Sequence, residues 1–417
     1  LITSLKPAVQ NLCAQVLSDF LKIYPMGNKR RQEHMNAVLK NLAYPYETGR
    51  LSALKMMERL VNELSTESLN LQAKSFYVQM VLRLVNEDSK ECLEKVSSCL
   101  VSMLEKIGSG VFDDMIKMAV QWVNVDGEDT QQRQMRIAGL KCIASGFEAR
   151  PKRTSKHFKV ISRLLKAQEE RADESDWETI YHALVAVEKA KIYVDVATLM
   201  RHDHPWVRAV ACRVLKSGLE SKGNIFTTDE SIFQAIKSTC HQLKADLNAD
   251  AAGVVGDILT LLSEVMSDGS FSWLFTRTSY LLRQSKSANC QETILNFYKV
   301  MAERKTAFVG KSLNPLLEAV YRIQSSRDIK SVPKESRLLA EEVMDVFESN
   351  VGGERYMTVL ERVRGVVFKA RTSRKRERQI ERVTDPASAA RKKLRKNKKK
   401  KSSRKRRLNE IKMLLGR

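Results

Sequence analysis

Apolar side chains recur at helical spacing along nearly the whole chain, and almost no strand-like alternation competes with them. Leu51, Leu54, Met56, Met57, Leu60, Val61 and Leu64 fall on one helical face, and Phe76, Met80, Leu82, Leu84 and Val85 belong to the next helix. The same spacing predicts helices near 92–107, 111–123, 131–146, 156–168, 177–190, 193–200, 205–218, 231–245, 253–266, 273–282, 291–303, 314–324 and 334–350. Only 17 Gly and 8 Pro interrupt 417 residues, and the short connections carry Gly, Asp, Asn or Ser. Such a chain is all-α, built from antiparallel helix pairs.

An internal repeat refines this. Gly49-Arg50-x-x-Ala53, Met135-Arg136-x-x-Gly139 and Val207-Arg208-x-x-Ala211 each lie early in a helix, at separations of 86 and 72 residues, about two units of 36–43 each. That period is near those of HEAT and armadillo repeats. In the clearest unit a helix over 193–200 ends, Asp203 and Pro205 set the turn, and Val207, Arg208 and Ala211 open the next helix. This stretch resembles a HEAT repeat. The resemblance implies that Ala211 lets neighbouring helices approach and that Asp203 and Arg208 bond along the ladder between repeats. The expected organisation is a HEAT/armadillo-like α-solenoid over 1–350, a long C-terminal helix over 354–383, and a basic tail over 384–417 ordered by a partner. Met357, Leu360, Val363, Val366, Val367 and Ala370 form a stripe by which the long helix packs on the solenoid end. The chain begins at Leu1, already within a helical pattern, and is expected to be a piece of a longer protein.

Catalytic signatures are missing. No Gly-rich phosphate loop, Gly-x-Ser-x-Gly, His-Glu-x-x-His or Cys-x-x-Cys occurs. His202 and His204 lack a third ligand at useful spacing, so no metal or other cofactor is expected. Seven scattered Cys suit reduced core thiols. Trp122, Trp177, Trp206 and Trp273 are spread over separate repeats and are expected to fill gaps between helices. No apolar run reaches the 18 or so residues of a membrane span. The expected chain is not an enzyme and takes neither a membrane nor a small-molecule substrate as partner.

The charge is concentrated at one end. Residues 362–417 hold 24 Lys and Arg against 4 Asp and Glu, whereas the whole chain holds 72 against 49. The body is therefore nearly neutral. Within 391–407, thirteen of 17 side chains are basic and none is acidic: Arg391, Lys392, Lys393, Arg395, Lys396, Lys398, Lys399, Lys400, Lys401, Arg404, Lys405, Arg406 and Arg407. Such a run repels itself and calls for a polyanion, and RNA or DNA phosphate gains further from counterion release. A nuclear-import signal or a solvated tail remains open on charge alone. No aromatic residue follows Phe368, so backbone contact is expected in place of base reading. Leu408, Ile411, Leu414 and Leu415 offer a small apolar anchor, and Asp385-Pro386 breaks the helix ahead of it.

One stretch is more individual. Tyr24-Pro-Met-Gly-Asn-Lys-Arg30, Asn41-Leu-Ala-Tyr44 and Gly49-Arg-Leu-Ser52, together with the Lys/Arg-rich end, resemble the C-terminal region of the very large HEAT-repeat proteins of the "down-regulated in metastasis" family. The resemblance implies a nuclear, nucleolar scaffold of the small-subunit processome, associated with the ribosomal RNA precursor, the U-three small nucleolar RNA and other processome proteins, and supporting 18S RNA maturation. Lys29, Arg30 and Arg31 match the basic turn and are candidate RNA contacts, with a solvated helix start the equal alternative. A solenoid of another class, chromatin-associated or transport-receptor-like, remains the rival reading.

Overall fold

The computed structural model describes residues 6–127, 129–170, 176–221, 225–244, 248–326 and 332–414. At 7, 28, 378, 389, 396, 399, 403 and 406–414 it describes the backbone alone. Twenty α-helices and no strand occur among the described residues.

The chain divides into two compact units, Leu1–Met266 and Ser267–Arg417. The first holds α1 (Pro7–Ile23), α2 (Asn28–Lys40), α3 (Glu47–Glu63), α4 (Thr66–Asn86), α5 (Lys90–Lys106), α6 (Ser109–Val123) and α7 (Thr130–Ala149), then α8 (Pro151–Thr154), α9 (Phe158–Glu170), α10 (Trp177–Ala190), α11 (Pro205–Glu220), α12 (Asp229–Gln242) and α13 (Ala249–Val265). The second holds α14 (Asp268–Gln284), α15 (Ala288–Arg304), α16 (Thr306–Lys311), α17 (Leu313–Gln324), α18 (Lys334–Val351), α19 (Gly353–Thr384) and α20 (Pro386–Leu414).

Local chemistry sets where these helices start. The Ser65 and Ser89 hydroxyls accept from the Ser68 and Cys92 N–H groups, and Asn248 accepts from Ala251 at 2.8 Å. Asp129 with Gln132, and Thr228 with Ser231, form reciprocal capping boxes. Pro7, Pro151 and Pro205 occupy first-turn positions that need no donor.

In the first unit α3, α5, α7, α10, α11 and α13 pack one on the next as a single row, and α4, α6, α9 and α12 lie between them as the second layer. That is the HEAT arrangement. In the second unit α17 packs on α14, α18 and α19, while α15 packs on α18. Phe76, Tyr77, Phe112 and Phe147 fill the first core, and Phe275, Phe297, Tyr298 and Phe347 the second. Gly139 marks a close approach, since a Cβ there would lie 2.5 Å from the Ala119 carbonyl oxygen of α6.

Bonds between repeats recur at a fixed sequence offset. Lys106 reaches Val61 and Asn62, Arg150 reaches Glu105, and Arg355 reaches Gly310; the first of each pair lies 44 or 45 residues after its acceptor. Glu87, whose side chain is wholly enclosed, accepts from Arg50 at 2.7 and 2.9 Å and lies 3.0 Å from Arg83. Burial alone would raise its pKa, but the Arg50 bonds and the Ser89 N–H outweigh burial and hold the carboxyl below its usual range. Glu63 is held down to about 2, chiefly by Lys22, then by Ser18 and Arg59, which ties α1 to α3.

The structure corrects four expectations. The segment 193–200 is not a helix: it is irregular up to a 3-10 turn at Leu199–Arg201, which stands in chain order where the second-layer helix between α10 and α11 would lie. Its Val194, Val196 and Leu199 mimic helical spacing, but too few residues remain between Lys191, in a left-handed conformation at φ 53°, and Pro205. Trp206 does not fill a gap; it is 59% exposed, as is Leu82 to a similar degree. On α19 the buried stripe is Tyr356, Leu360, Val363 and Val367, with Met357 and Val366 turned to solvent. Finally, Arg208 does not serve a ladder between repeats. Its Nη1 donates to the His202 and Asp203 carbonyls, 2.9 and 2.6 Å away, within its own turn.

Candidate nucleic-acid interface

The repeated arginines do share one role. Arg50 donates to the Tyr44 and Pro45 carbonyls, Arg136 to that of Gly127, and Arg208 to those of His202 and Asp203. Each ties the loop ahead of its helix to that helix. Val207 and Ala211 are buried and Pro205 occupies the first turn of α11. His202 Nδ1 accepts from the His204 N–H at 3.0 Å, and the His204 ring stacks on Trp177 with centroids 3.7 Å apart. Among the described residues no group of three or more His, Cys, Asp or Glu is placed to hold a metal. Cys92, Cys99, Cys142, Cys212, Cys240 and Cys290 are buried thiols outside any disulfide, and burial pushes Cys99, Cys142 and Cys212 up to about 12. Among the described residues no helix is long and apolar enough to cross a membrane.

Exposed positive charge gathers on α19 and α20. Beyond Val367 no described residue of either helix is buried. The 32-residue α19 is about 48 Å long at 1.5 Å per residue, so well over a turn of it projects past its packed stripe. Asp385 and Pro386 break the path as the sequence predicts. Asp385 Oδ1 accepts from the Ser388 N–H at 2.8 Å and so starts α20.

On α20, Arg391, Lys392, Lys393, Arg395, Lys398, Lys400, Lys401, Arg404 and Lys405 are all exposed. The side chains of Lys396, Lys399, Arg406 and Arg407 lie outside the described residues, as do those of Leu408, Ile411, Leu414 and Leu415. Lys392 pairs with Glu381 of α19. Much of the described run faces like charge at i, i+4, as Arg391 faces Arg395 and Lys401 faces Lys405, which works against the helix by a few tenths of a kcal/mol per pair. The cations point to every side of the helix. That arrangement suits a flexible backbone wrapped around it better than one groove laid along a single face.

At the other end, Lys29, Arg30 and Arg31 occupy the first turn of α2 behind Gly27, which provides no side-chain cap. Lys29 and Arg30 are exposed, while Arg31 is half-buried against the cavity beside Glu63. Three cations at a helix N-terminus oppose its dipole. They lie 360 or more residues in sequence from the tail run.

The carbonyl contacts of Lys106, Arg150 and Arg355 were not legible in the sequence. The signal available was their shared period, hidden because the acceptors are backbone atoms of any residue type.

Comparison with known proteins gives these features a context. The chain is 24% identical over 438 residues to the U3 small nucleolar RNA-associated protein 20 of Schizosaccharomyces pombe, with 94% of this chain and 17% of that protein covered. It is 20% identical over 461 residues to the protein of the same name from Saccharomyces cerevisiae, covering 98% of this chain and 18% of that one. The chain thus spans under a fifth of the length of these relatives. In fold it is similar to Kap95p in its complex with RanGDP (TM-score 0.57, 13% identity, 89% of this chain and 49% of that chain) and to Kap121p bound to Pho4p (TM-score 0.53, 13% identity, 89% and 39%). These likenesses show the helical-repeat fold alone. Residues 158–410 match the family described as "Small subunit processome component 20 homolog, C-terminal". The match takes in the later part of the first helical unit, nearly all of the second and the whole basic run 391–407, and the chain belongs to that family.

Proposed function

We propose that this chain is a non-catalytic scaffold segment of the nucleolar small-subunit processome, and that its basic tail binds RNA phosphates of the ribosomal RNA precursor and its associated small nucleolar RNA. The observation that carries this reading is the family match, which runs from the helical repeats at residue 158 through the whole basic run 391–407 to residue 410. The tail is therefore part of the shared domain, and its exposed cations supply the electrostatics that RNA backbone binding needs. The helical repeats hold protein and RNA modules in place and support 18S RNA maturation by positioning. Lys29 and Arg30 extend the same reading to α2 as a separate phosphate contact. The names of the two fungal relatives, both associated with U3 small nucleolar RNA, agree with nucleolar residence.

Deleting 392–407 tests the tail's part. Binding to single-stranded RNA weakens for every sequence, and its salt dependence flattens by about 0.7 for each phosphate no longer neutralised, or roughly 4 for six phosphates. A salt slope that survives the deletion removes the tail from the mechanism.

A further inference from the structure

A second cationic feature lies in the Ser267–Arg417 unit, where α19 parts from its packed stripe. The C-terminal ends of α14 and α17 and the middle of α19 enclose a cleft of about 910 Å³. Arg283 and Lys286 come from the α14 end, Arg322 from α17, and Arg371, Arg374 and Phe368 from α19. The cleft draws on helices that are distant in sequence, so no local motif announces it.

Three of its five cations have structural work. Arg283 and Arg322 share Glu318, at 3.5 and 2.7 Å. Arg371 donates to the Ser325 carbonyl and hydroxyl, at 3.0 and 2.9 Å, and so caps α17. Lys286 and Arg374 form no ion pair or hydrogen bond with another described residue. Phe368, at the same cleft, is 70% exposed. A core-packing account explains neither the ring nor the two spare cations.

The geometry points to this cleft as a subsite for single-stranded RNA, with one nucleobase stacked on Phe368 and the adjoining phosphates held by Lys286 and Arg374. Stacking on an aromatic ring beside a positive groove is how single strands are bound without regard to sequence. Continuity favours RNA over an acidic peptide. Arg374 leads along α19 through Lys375, Arg376 and Arg382 towards Arg391, 17 residues on, so the cleft is the body end of one cationic track. This subsite deepens the tail-binding reading and rests on the chain being an RNA binder. It also revises the expectation that only the backbone is contacted, because it adds one base-stacking position.

The test uses the full chain and a fluorescent dodecamer of uridylate. Phe368→Ala weakens binding about tenfold and leaves the salt slope unchanged, whereas Phe368→Trp retains binding, as stacking requires. Lys286→Gln with Arg374→Gln lowers the salt slope by about 1.4, the share of two phosphates. The three side chains involved are at the surface or in the cleft, and thermal melts of each variant check that the fold is kept. Undiminished affinity of Phe368→Ala overturns the subsite. So does competition by oligoglutamate that is lost in Lys286→Gln/Arg374→Gln but indifferent to Phe368, since that outcome assigns the cleft to an acidic peptide. If the tail deletion flattens the salt slope while Phe368→Ala does nothing, the subsite falls and the tail reading stands. If the intact chain binds no RNA, both fall.

Discussion

Lys106, on the last turn of α5, donates from Nζ to the carbonyls of Val61 and Asn62 at the end of α3, 3.0 and 2.6 Å away. Arg150 repeats the contact one unit later at the end of α5, donating to Glu105 at 2.7 Å and to Ile107. Arg355 does the same to Gly310 at 2.8 Å. The last carbonyls of a helix have no partner within it and carry its negative dipole end, so a cation from the next repeat satisfies both at once. This is a ladder of cation and carbonyl, and it sets the register of one repeat on the next.

Replacing Lys106 or Arg150 by Met keeps most of the aliphatic stem and removes the donor. Each change is expected to cost about 0.5–1 kcal/mol, the worth of an ordinary hydrogen bond with a dipole contribution. Hydrogen exchange gives the sharper readout. Amides in the last turn of α3 should open faster in Lys106→Met, and those of α5 in Arg150→Met, with the other repeats unchanged.

Two glycines in helices should respond to alanine with opposite signs. Gly139 touches α6 so closely that a Cβ would lie 2.5 Å from the Ala119 oxygen and 2.8 Å from Val123. The helix gains about 1 kcal/mol from alanine's propensity, but the backbone oxygen cannot yield, and overpacking of this kind costs about 1–3 kcal/mol. Gly139→Ala is therefore destabilising in chemical denaturation. Gly365, in α19, has nothing within 4 Å of the added carbon, and Gly365→Ala should stabilise by roughly 0.5–1 kcal/mol.

His182 predicts the response to acid. Most of its ring is enclosed in α10, and burial, followed by the nearby Lys141 ammonium, pushes its pKa down to about 3 from the ordinary 6.5. Burial also lowers Lys141 itself, which donates to the Leu84 carbonyl at 3.1 Å. The unfolded chain therefore takes up a proton below pH 6.5 that the folded chain refuses, and stability falls as pH drops from 6.5 towards 3. The slope for one such group is at most about 1.4 kcal/mol per pH unit. His157, His202 and His241 are shifted in the same direction. Below pH 4.5 protonation of Glu63 adds a further loss, since its folded value is about 2. His182→Gln should flatten the decline of the melting temperature from pH 6.5 down towards 3, leaving in place the further loss that Glu63 brings below 4.5.

The helical repeat was legible because it is written in side-chain period, and the core positions of α3 show it: Leu54, Met56, Met57, Leu60 and Val61 are all buried as the spacing requires. The tail was legible for the same kind of reason, since charge density is local. What the sequence hid depends on atoms brought together from different helices. Arg208 was visible as a motif residue, but its acceptors are carbonyls, which leave no mark on residue choice. The segment 193–200 carried helical spacing over too short a length to form a helix between Lys191 and Pro205. On α19 the expected stripe shares Leu360, Val363 and Val367 with the buried one; it lacks Tyr356, whose hydroxyl keeps its ring out of an apolar count, and it includes Met357 and Val366, which face solvent. The cleft holding Lys286 and Arg374 joins residues almost ninety apart in sequence.

The central claim is that this helical-repeat segment works on the ribosomal RNA precursor through its exposed basic track. Crosslinking the protein to RNA in cells, followed by sequencing of the recovered RNA, tests it most directly. The account predicts reads concentrated on the ribosomal RNA precursor and the U3 small nucleolar RNA, with crosslinked peptides from 391–407. Reads scattered over unrelated transcripts, or recovery of DNA in place of RNA, would contradict it.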